Sequence, residues 1–179
     1  MNSAILGIAG YMGSGKNTVA RILHELRGDV VEIAFADPMK DFVSLVYDWP
    51  RELLNDLRFK NMPDPRYNGL TPRHALQQLG TEWGRGCYVN TWADLGIRRA
   101  LVADGLAVIT DVRFPNEVKA IHRAGGKVVL VYRADPPELL HSSESFIDSL
   151  EYDYELSNTG TLYELQEQIE ALMPELMAR

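Results

Sequence analysis

The nine residues GYMGSGKNT, Gly10 to Thr18, follow the apolar run AILGIA of residues 4–9. They precede Val19, Ala20, Ile22, Leu23 and Leu26, which recur at helical spacing. A short apolar run, a glycine-rich turn and an amphipathic stretch predict strand, loop and helix in that order. The turn fits the pattern G-x-x-x-x-G-K-[ST] at Gly10, Gly15 and Lys16 and departs from it at Asn17. Glycines let backbone N–H groups turn inward as an anion nest, and the helix N-terminus adds about half a positive charge. Gly13, Ser14, Gly15 and Lys16 are therefore expected to cradle phosphates, with the Lys16 ammonium reaching the β- and γ-phosphates of a nucleotide. Without ligand its side chain is expected to face solvent. A dinucleotide fingerprint is disfavoured, because the G-x-G-x-x-G spacing is absent. Where the pattern has a hydroxyl that touches Mg²⁺, Asn17 offers only a neutral amide oxygen. Thr18 next to it, or a bridging water, are the other routes to the metal.

Working outward, VVEIAFA (30–36), LAVIT (106–110), KVVLVY (127–132) and Tyr154 to Ser157 read as further strands. Helices are expected between them: one stopped by Gly28, one from an Asp37 cap and Pro38 towards Trp49, and one from a Thr71 cap and Pro72 through Leu79. Others run from about Asn90 to Ala103, from Pro115 to Ala124, over a short piece at 142–150, and in TLYELQEQIEALM behind a Thr161/Glu164 capping box. Continuous apolar strands alternating with helices predict a parallel sheet of about five strands with helices on both faces, a three-layer α/β fold. Ligands then belong at the carboxyl ends of the strands. The whole chain reads as one domain, with residues 1–36 and 106–179 as the core and 37–105 as a helical excursion.

Composition sets the outer bounds. The chain has 179 residues, 46% of them hydrophobic, and a net charge of −7. That apolar content is too high for a disordered chain, and Cys87 has no partner for a disulfide framework. No apolar run approaches the ~18 residues of a membrane span, and the first ten residues do not read as a secretory leader. A cytoplasmic protein is expected. Residues 134–179 hold eleven acids and one base, so the other 133 residues carry a mild positive balance. This suits a small anionic ligand in a pocket better than a nucleic acid along a surface. The sequence is compatible with a homodimer.

A second constellation is TDVRFPNE, Thr110 to Glu117. Asp111 closes a buried strand, where a carboxylate can order metal-bound water or a substrate hydroxyl, and Arg113 can fork two phosphate oxygens. Capping of the next helix, or a surface Asp111–Arg113 pair, is the structural alternative. Asp37, Lys40, Arg73, Arg85 and Arg133 add charge near strand or helix starts. Trp83 and Trp92 suit base stacking or a core. His24, His74, His122 and His141 lack the spacing of a zinc site, and no nucleophile–histidine–acid arrangement stands out.

Together these blocks resemble the bacteriophage deoxynucleoside monophosphate kinases of the P-loop nucleoside-phosphate kinase superfamily, over most of the chain. SGKNT is similar to the family's SGK-Asp-Thr, with Asn17 in place of the aspartate and Thr18 matching. FADPMKD resembles the acceptor-side segment, which implies roles for Asp37 and Lys40. LQQLGTEWG with YVNTW resembles the segment around the acceptor nucleotide, implying Arg73, Gly80, Thr81 and Trp92. TDVRFPNE implies Asp111, Arg113 and Glu117 in the same pocket, and ELSNTGTLYEL implies Asn158 against the donor adenine; Arg133, by its own place at the end of the fourth strand, is expected to reach the donor phosphates. The resemblance implies transfer of the ATP γ-phosphoryl to a deoxynucleoside monophosphate with Mg²⁺, small-molecule partners only, and Lys16, Asp111 and Arg113 as the catalytic group. The 50–70 stretch is more compact than the family's, and residues 134–150 lack an arginine-rich lid. A dephospho-CoA kinase-like enzyme and a non-catalytic nucleotide-binding module are the alternatives.

Overall fold

The computed structural model describes residues 4–133 and 146–177. Five strands, β1 (Ile5–Ala9), β2 (Val30–Ile33), β3 (Leu106–Val112), β4 (Lys127–Tyr132) and β5 (Tyr154–Ser157), form one sheet in the order β2-β3-β1-β4-β5. Every pairing is parallel. Parallel neighbours need long crossovers, and α1 (Lys16–Leu26), α6 (Pro115–Arg123) and α7 (Leu162–Met177) lie in three of the connecting or flanking segments. The remaining α-helices among the described residues are α2 (Asp37–Tyr47), α3 (Leu57–Asn61), α4 (Pro72–Gln77) and α5 (Thr91–Leu101).

The alternation along β1 explains the layering. Leu6 and Ile8 join Leu106, Val108, Val129, Val131 and Leu156 in a buried cluster with Val19, Ile22 and Leu23 of α1 and Leu165 and Ile169 of α7. Gly7 points to the other face, where a methyl group would come within 2.6 Å of Ile121 Cδ1 on α6. Both faces are covered, as the unbroken apolar strands require. Gly7 is the position that lets α6 sit so close.

The chain divides into two compact units, residues 1–34 with 93–179, and residues 35–92. The excursion expected over 37–105 thus ends at Trp92, and most of α5 belongs with the sheet. In the smaller unit Val43, Trp49, Leu54 and Ala75 are buried, with Tyr47, Phe59, Tyr67 and Leu70 packed on them. Tyr47 stacks on Trp49 with ring centroids 4.6 Å apart. Asp64 pins this cluster, accepting from Trp49 Nε1 at 2.8 Å, from the Arg66 backbone N–H at 2.9 Å and from the Arg66 guanidinium. The guanidinium first, and the indole second, hold its carboxyl far below the ordinary value of 3.8. A depressed carboxyl stabilises the fold above its unfolded-state pKa, and that contribution fades as pH falls below about 4. Asp64→Asn should therefore lower the melting temperature at pH 7, and the gap to the native protein should close in melts below about pH 4.

Local starts and stops differ from expectation in places. Asp37 is the first residue of α2 rather than its cap; Ala36 holds the cap position with no side-chain bond. Helix α1 ends at Leu26 because Arg27 is already extended, one residue before Gly28. Strand β2 stops at Ile33, while β3 runs on through Asp111 to Val112. The Thr71 cap forms, with His74 N–H on Thr71 Oγ1 at 3.2 Å. So does the Thr161/Glu164 box, closed by bonds of 2.7 and 3.2 Å. The short helix expected at 142–150 lies partly outside the described residues; within them Ile147–Ser149 forms one 3₁₀ turn. His122 has a structural place: with Lys127 and the Val128 N–H it holds the Asp153 carboxylate between β4 and β5.

Candidate active site

The turn after β1 has the shape its glycines demand. Gly10, Gly13 and Gly15 all have positive φ. At Gly10 a side chain is doubly excluded, since its first carbon would fall 2.6 Å from both Ser14 Oγ and the Val131 carbonyl. The loop closes with a Ser14 N–H to Tyr11 carbonyl bond of 3.1 Å, and α1 starts at Lys16 directly behind Gly15. Lys16 does not face solvent as expected. It is half-buried, and its Nζ donates to the carbonyls of Gly10 and Tyr11, both at 2.7 Å. The ammonium is thereby parked across its own loop. Asn17 is exposed and Thr18 half-buried.

Ser14 is 4% exposed, and its hydroxyl is the one buried side-chain polar atom among the described residues without a hydrogen-bond partner. A buried unmet hydroxyl costs about 1–3 kcal/mol. Such a group inside a glycine-rich loop can take a polar ligand or a water as its partner.

Strand β3 carries a feature that no pattern in the sequence signals. Gly7 pairs with Ile109, but Ala9 pairs with Val112, so β3 holds one extra residue against β1. A bulge of this kind re-aims a side chain and is common beside active sites. Here it falls at Thr110 and Asp111, which stand opposite Ile8, and Val112 then pairs with Ala9, the last residue of β1 before Gly10. Asp111 and Arg113 are half-buried. Glu117 is only 3% exposed, and its Oε2 accepts from the backbone N–H groups of Arg113 at 2.8 Å and Phe114 at 3.1 Å. Asp111 does not cap α6; Phe114 is the cap residue. Phe114 and Glu117 stand at the same cap-to-N3 spacing as Thr161 and Glu164, and the glutamate's half of that box, its carboxylate on the cap backbone N–H, fixes the backbone under Arg113.

This gives a test. Glu117→Gln keeps an oxygen acceptor and should keep kcat within a few-fold. Glu117→Ala leaves two backbone donors unmet, and should cost about 1–3 kcal/mol of stability and on the order of tenfold in kcat. Melting curves and steady-state rates for the two variants separate backbone support from direct use of the carboxylate.

Two other segments touch the loop. Asn158, just past β5, donates from Nδ2 to the Ser14 carbonyl at 2.8 Å, and Arg133, just past β4, donates to the Gly13 carbonyl at 3.3 Å. Arg133 thus stands at the glycine-rich loop. Asn158 rests on its backbone.

In the smaller unit, Lys40 Nζ lies 3.6 Å from Asp37, whose carboxylate also accepts from Arg51 at 2.8 Å. Arg51, which further bridges to Asp41, is a residue that sequence reasoning missed; nothing in its spacing distinguishes it from a solvated arginine. Arg73 donates from Nε to Asn61 at 2.6 Å. The segment after α4 is a π-helix over Gln78–Arg85, and it contains Gly80 and Thr81. Such wide turns are rare and concentrate at functional sites. Trp92 is 7% exposed; its Nε1 donates to the Gly80 carbonyl at 2.8 Å, and its ring fills the space a side chain on Gly84 would need. The indole expected against a nucleotide is instead a core group that shapes the π-helical turn.

A protein of Acanthamoeba polyphaga mimivirus, "Putative deoxynucleotide monophosphate kinase", is 33% identical to this chain across 92% of it and 93% of the viral protein. The chain belongs to the deoxynucleotide monophosphate kinase family. It is a phosphotransferase acting on small molecules, and the kinship implies ATP as donor. An "Uncharacterized protein ORF77" of Ictalurid herpesvirus 1 is 26% identical over 94% of this kinase and 70% of its own length. No family model matches the sequence. Among solved structures, shikimate kinase from Acinetobacter baumannii superposes with a TM-score of 0.52 at 15% identity, covering 99% of this kinase and 96% of that chain. TT1252 from Thermus thermophilus gives 0.52 at 19% identity, covering 99% and 100%. These show a shared fold. No helix among the described residues is long and apolar enough to cross a membrane.

Proposed function

We propose that the enzyme transfers the γ-phosphoryl group of ATP to a deoxynucleoside monophosphate, giving ADP and the deoxynucleoside diphosphate, with Mg²⁺. The observation that carries the phosphoryl-transfer part is the pairing of Ala9 with Val112, which brings Asp111 and Arg113 alongside the strand that feeds the phosphate loop. The acceptor class rests on the likeness to the mimivirus protein.

Phosphoryl transfer through a loose transition state asks little covalent chemistry of a protein; it asks for alignment and charge. An acceptor phosphate oxygen attacks the γ-phosphorus, and the bridging oxygen leaves on ADP. The loop amides of Gly13 to Thr18 hold the donor. Lys16 gives up the Gly10 and Tyr11 carbonyls for the β- and γ-phosphates, exchanging neutral acceptors for charged ones. Arg113 spans transferred and acceptor phosphates, and Asp111 orders metal water or the sugar. Lys40 and Arg73 anchor the acceptor, with Asp37 orienting Lys40. Gly80 and Thr81 line it on the π-helical turn, and Trp92 supports that turn from behind.

The donors present fit magnesium. Thr18, Asn17 and Asp111 offer oxygen only, and Mg²⁺ is usually held by one or two protein oxygens plus substrate phosphates, keeping several waters. When bound it neutralises charge on the β- and γ-phosphates.

The test is ADP release over a panel of deoxy- and ribonucleoside monophosphates and dephospho-CoA, with and without chelator. Release dependent on a deoxynucleoside monophosphate and abolished by chelator is the expected result. Turnover of dephospho-CoA and of no monophosphate would replace the acceptor assignment. ATP binding without turnover on any acceptor would make the protein a binding module.

A further inference from the structure

We propose that Asn158 is a positioning residue of the phosphate loop: its side-chain amide holds the Ser14 carbonyl outward and so aims the Gly15 N–H into the nest. The inference rests on the ATP-donor reading above and differs from a contact with the donor base. Its basis is the 2.8 Å bond from Asn158 Nδ2 to Ser14 O. The Ser14 carbonyl and the Gly15 N–H share one trans peptide plane and point in opposite directions. Fixing the first fixes the second. Gly15, at φ +103°, is the residue where the loop becomes helix α1, and a methyl group there would overlap Asn158 Nδ2. The glycine is therefore needed both for its backbone angle and to admit the amide.

The bracket that carries Asn158 is itself rigid. Its own N–H donates to the Tyr132 carbonyl at 2.8 Å, which ties it to β4. On the preceding residue, the Ser157 N–H donates to Gln168 Oε1 at 2.9 Å, and Gln168 Nε2 returns a bond to the Ser157 carbonyl at 3.0 Å. Helix α7 thus grips the turn from both sides of one residue. A side chain held this firmly can impose a conformation on a glycine-rich loop, whose backbone otherwise has more freedom to lose than any other. Preorganised N–H groups bind a phosphate without a reorganisation cost, so the bracket acts on affinity for the polyphosphate, whatever base is attached.

Base independence is the discriminating readout. Calorimetric titrations of ATP, GTP and inorganic tripolyphosphate should be run on the native enzyme, Asn158→Ala and Asn158→Asp. The aspartate keeps the shape but loses the donor and faces the Ser14 carbonyl with a charge, so it serves if the alanine variant fails to fold. Both variants should weaken all three ligands by a similar factor, on the order of tenfold, with the acceptor KM unchanged. Weakening of ATP alone, with tripolyphosphate unaffected, would overturn the proposal in favour of a base contact. Unchanged affinity for all three would overturn it outright. Failure of the native enzyme to bind either nucleotides or tripolyphosphate would instead remove the donor reading on which it stands.

Discussion

Lys16→Ala is expected to lower kcat by at least on the order of a hundredfold while the protein still unfolds in one cooperative transition. Two consequences of the geometry lead there. The side chain ties the loop to itself through the Gly10 and Tyr11 carbonyls, so its removal loosens the turn. A hydrogen bond from a charged donor contributes about 1.5–3 kcal/mol when its loss leaves a buried partner, and less where water can take over. Lys16 is half-buried, so the melting temperature should drop by several degrees and no further. Activity has no such replacement. The ammonium is the mobile full charge of the loop, and removing one charge-stabilising group from a transition state typically costs 10²–10³ in rate. Lys16→Met, which keeps the stem but not the charge, should be equally inactive and melt closer to the native enzyme. Thermal melts and steady-state ADP release measure both. A variant retaining kcat within tenfold would mean that the loop binds no donor phosphate.

The fold was readable because its determinants are local. Apolar runs such as LAVI and KVVLV can only be buried strands in a chain this size, and the glycine-rich turn between strand and helix fixes where α1 begins. What escaped depends on neighbours. The bulge at Thr110–Asp111 exists only relative to β1, and nothing within TDV announces it. The π-helical turn at 78–85 is held open by Trp92, across an intervening segment, so the helix expected to stop at Leu79 continues with a different pitch. Site residues divide the same way. The turn shape of the glycines is legible because their positive φ is intrinsic to the motif, whereas the bonds of Lys16 to its own loop are not. Glu117 and Asn158 were placed as ligand contacts by resemblance, whereas their hydrogen bonds run to backbone: one to the N–H groups under Arg113, the other to the loop carbonyl. Residue type and spacing cannot separate a group that touches a substrate from one that holds what touches it.

That distinction bears on Arg113. Arg113→Ala should lower kcat by about 10²–10³ with a smaller change in either KM, since a group that stabilises developing charge acts in the transition state more than in the ground state. The backbone at this position is held independently of the side chain, by Glu117 Oε2 on the Arg113 and Phe114 N–H groups and by the end of β3. The substitution should therefore delete the guanidinium without moving the strand. Arg113→Lys restores a charge but not the planar fork that engages two phosphate oxygens at once. It should recover part of the lost rate, leaving a deficit on the order of tenfold. If Arg113 merely holds the acceptor, alanine would raise the acceptor KM and leave kcat intact. If it acts on the donor alone, the ATP KM would move instead. Only a loss in kcat that lysine partly restores fits an arginine placed across the transferred group, and it is the position of β3's extra residue, at Thr110–Asp111 just before Arg113, that makes this the expected result.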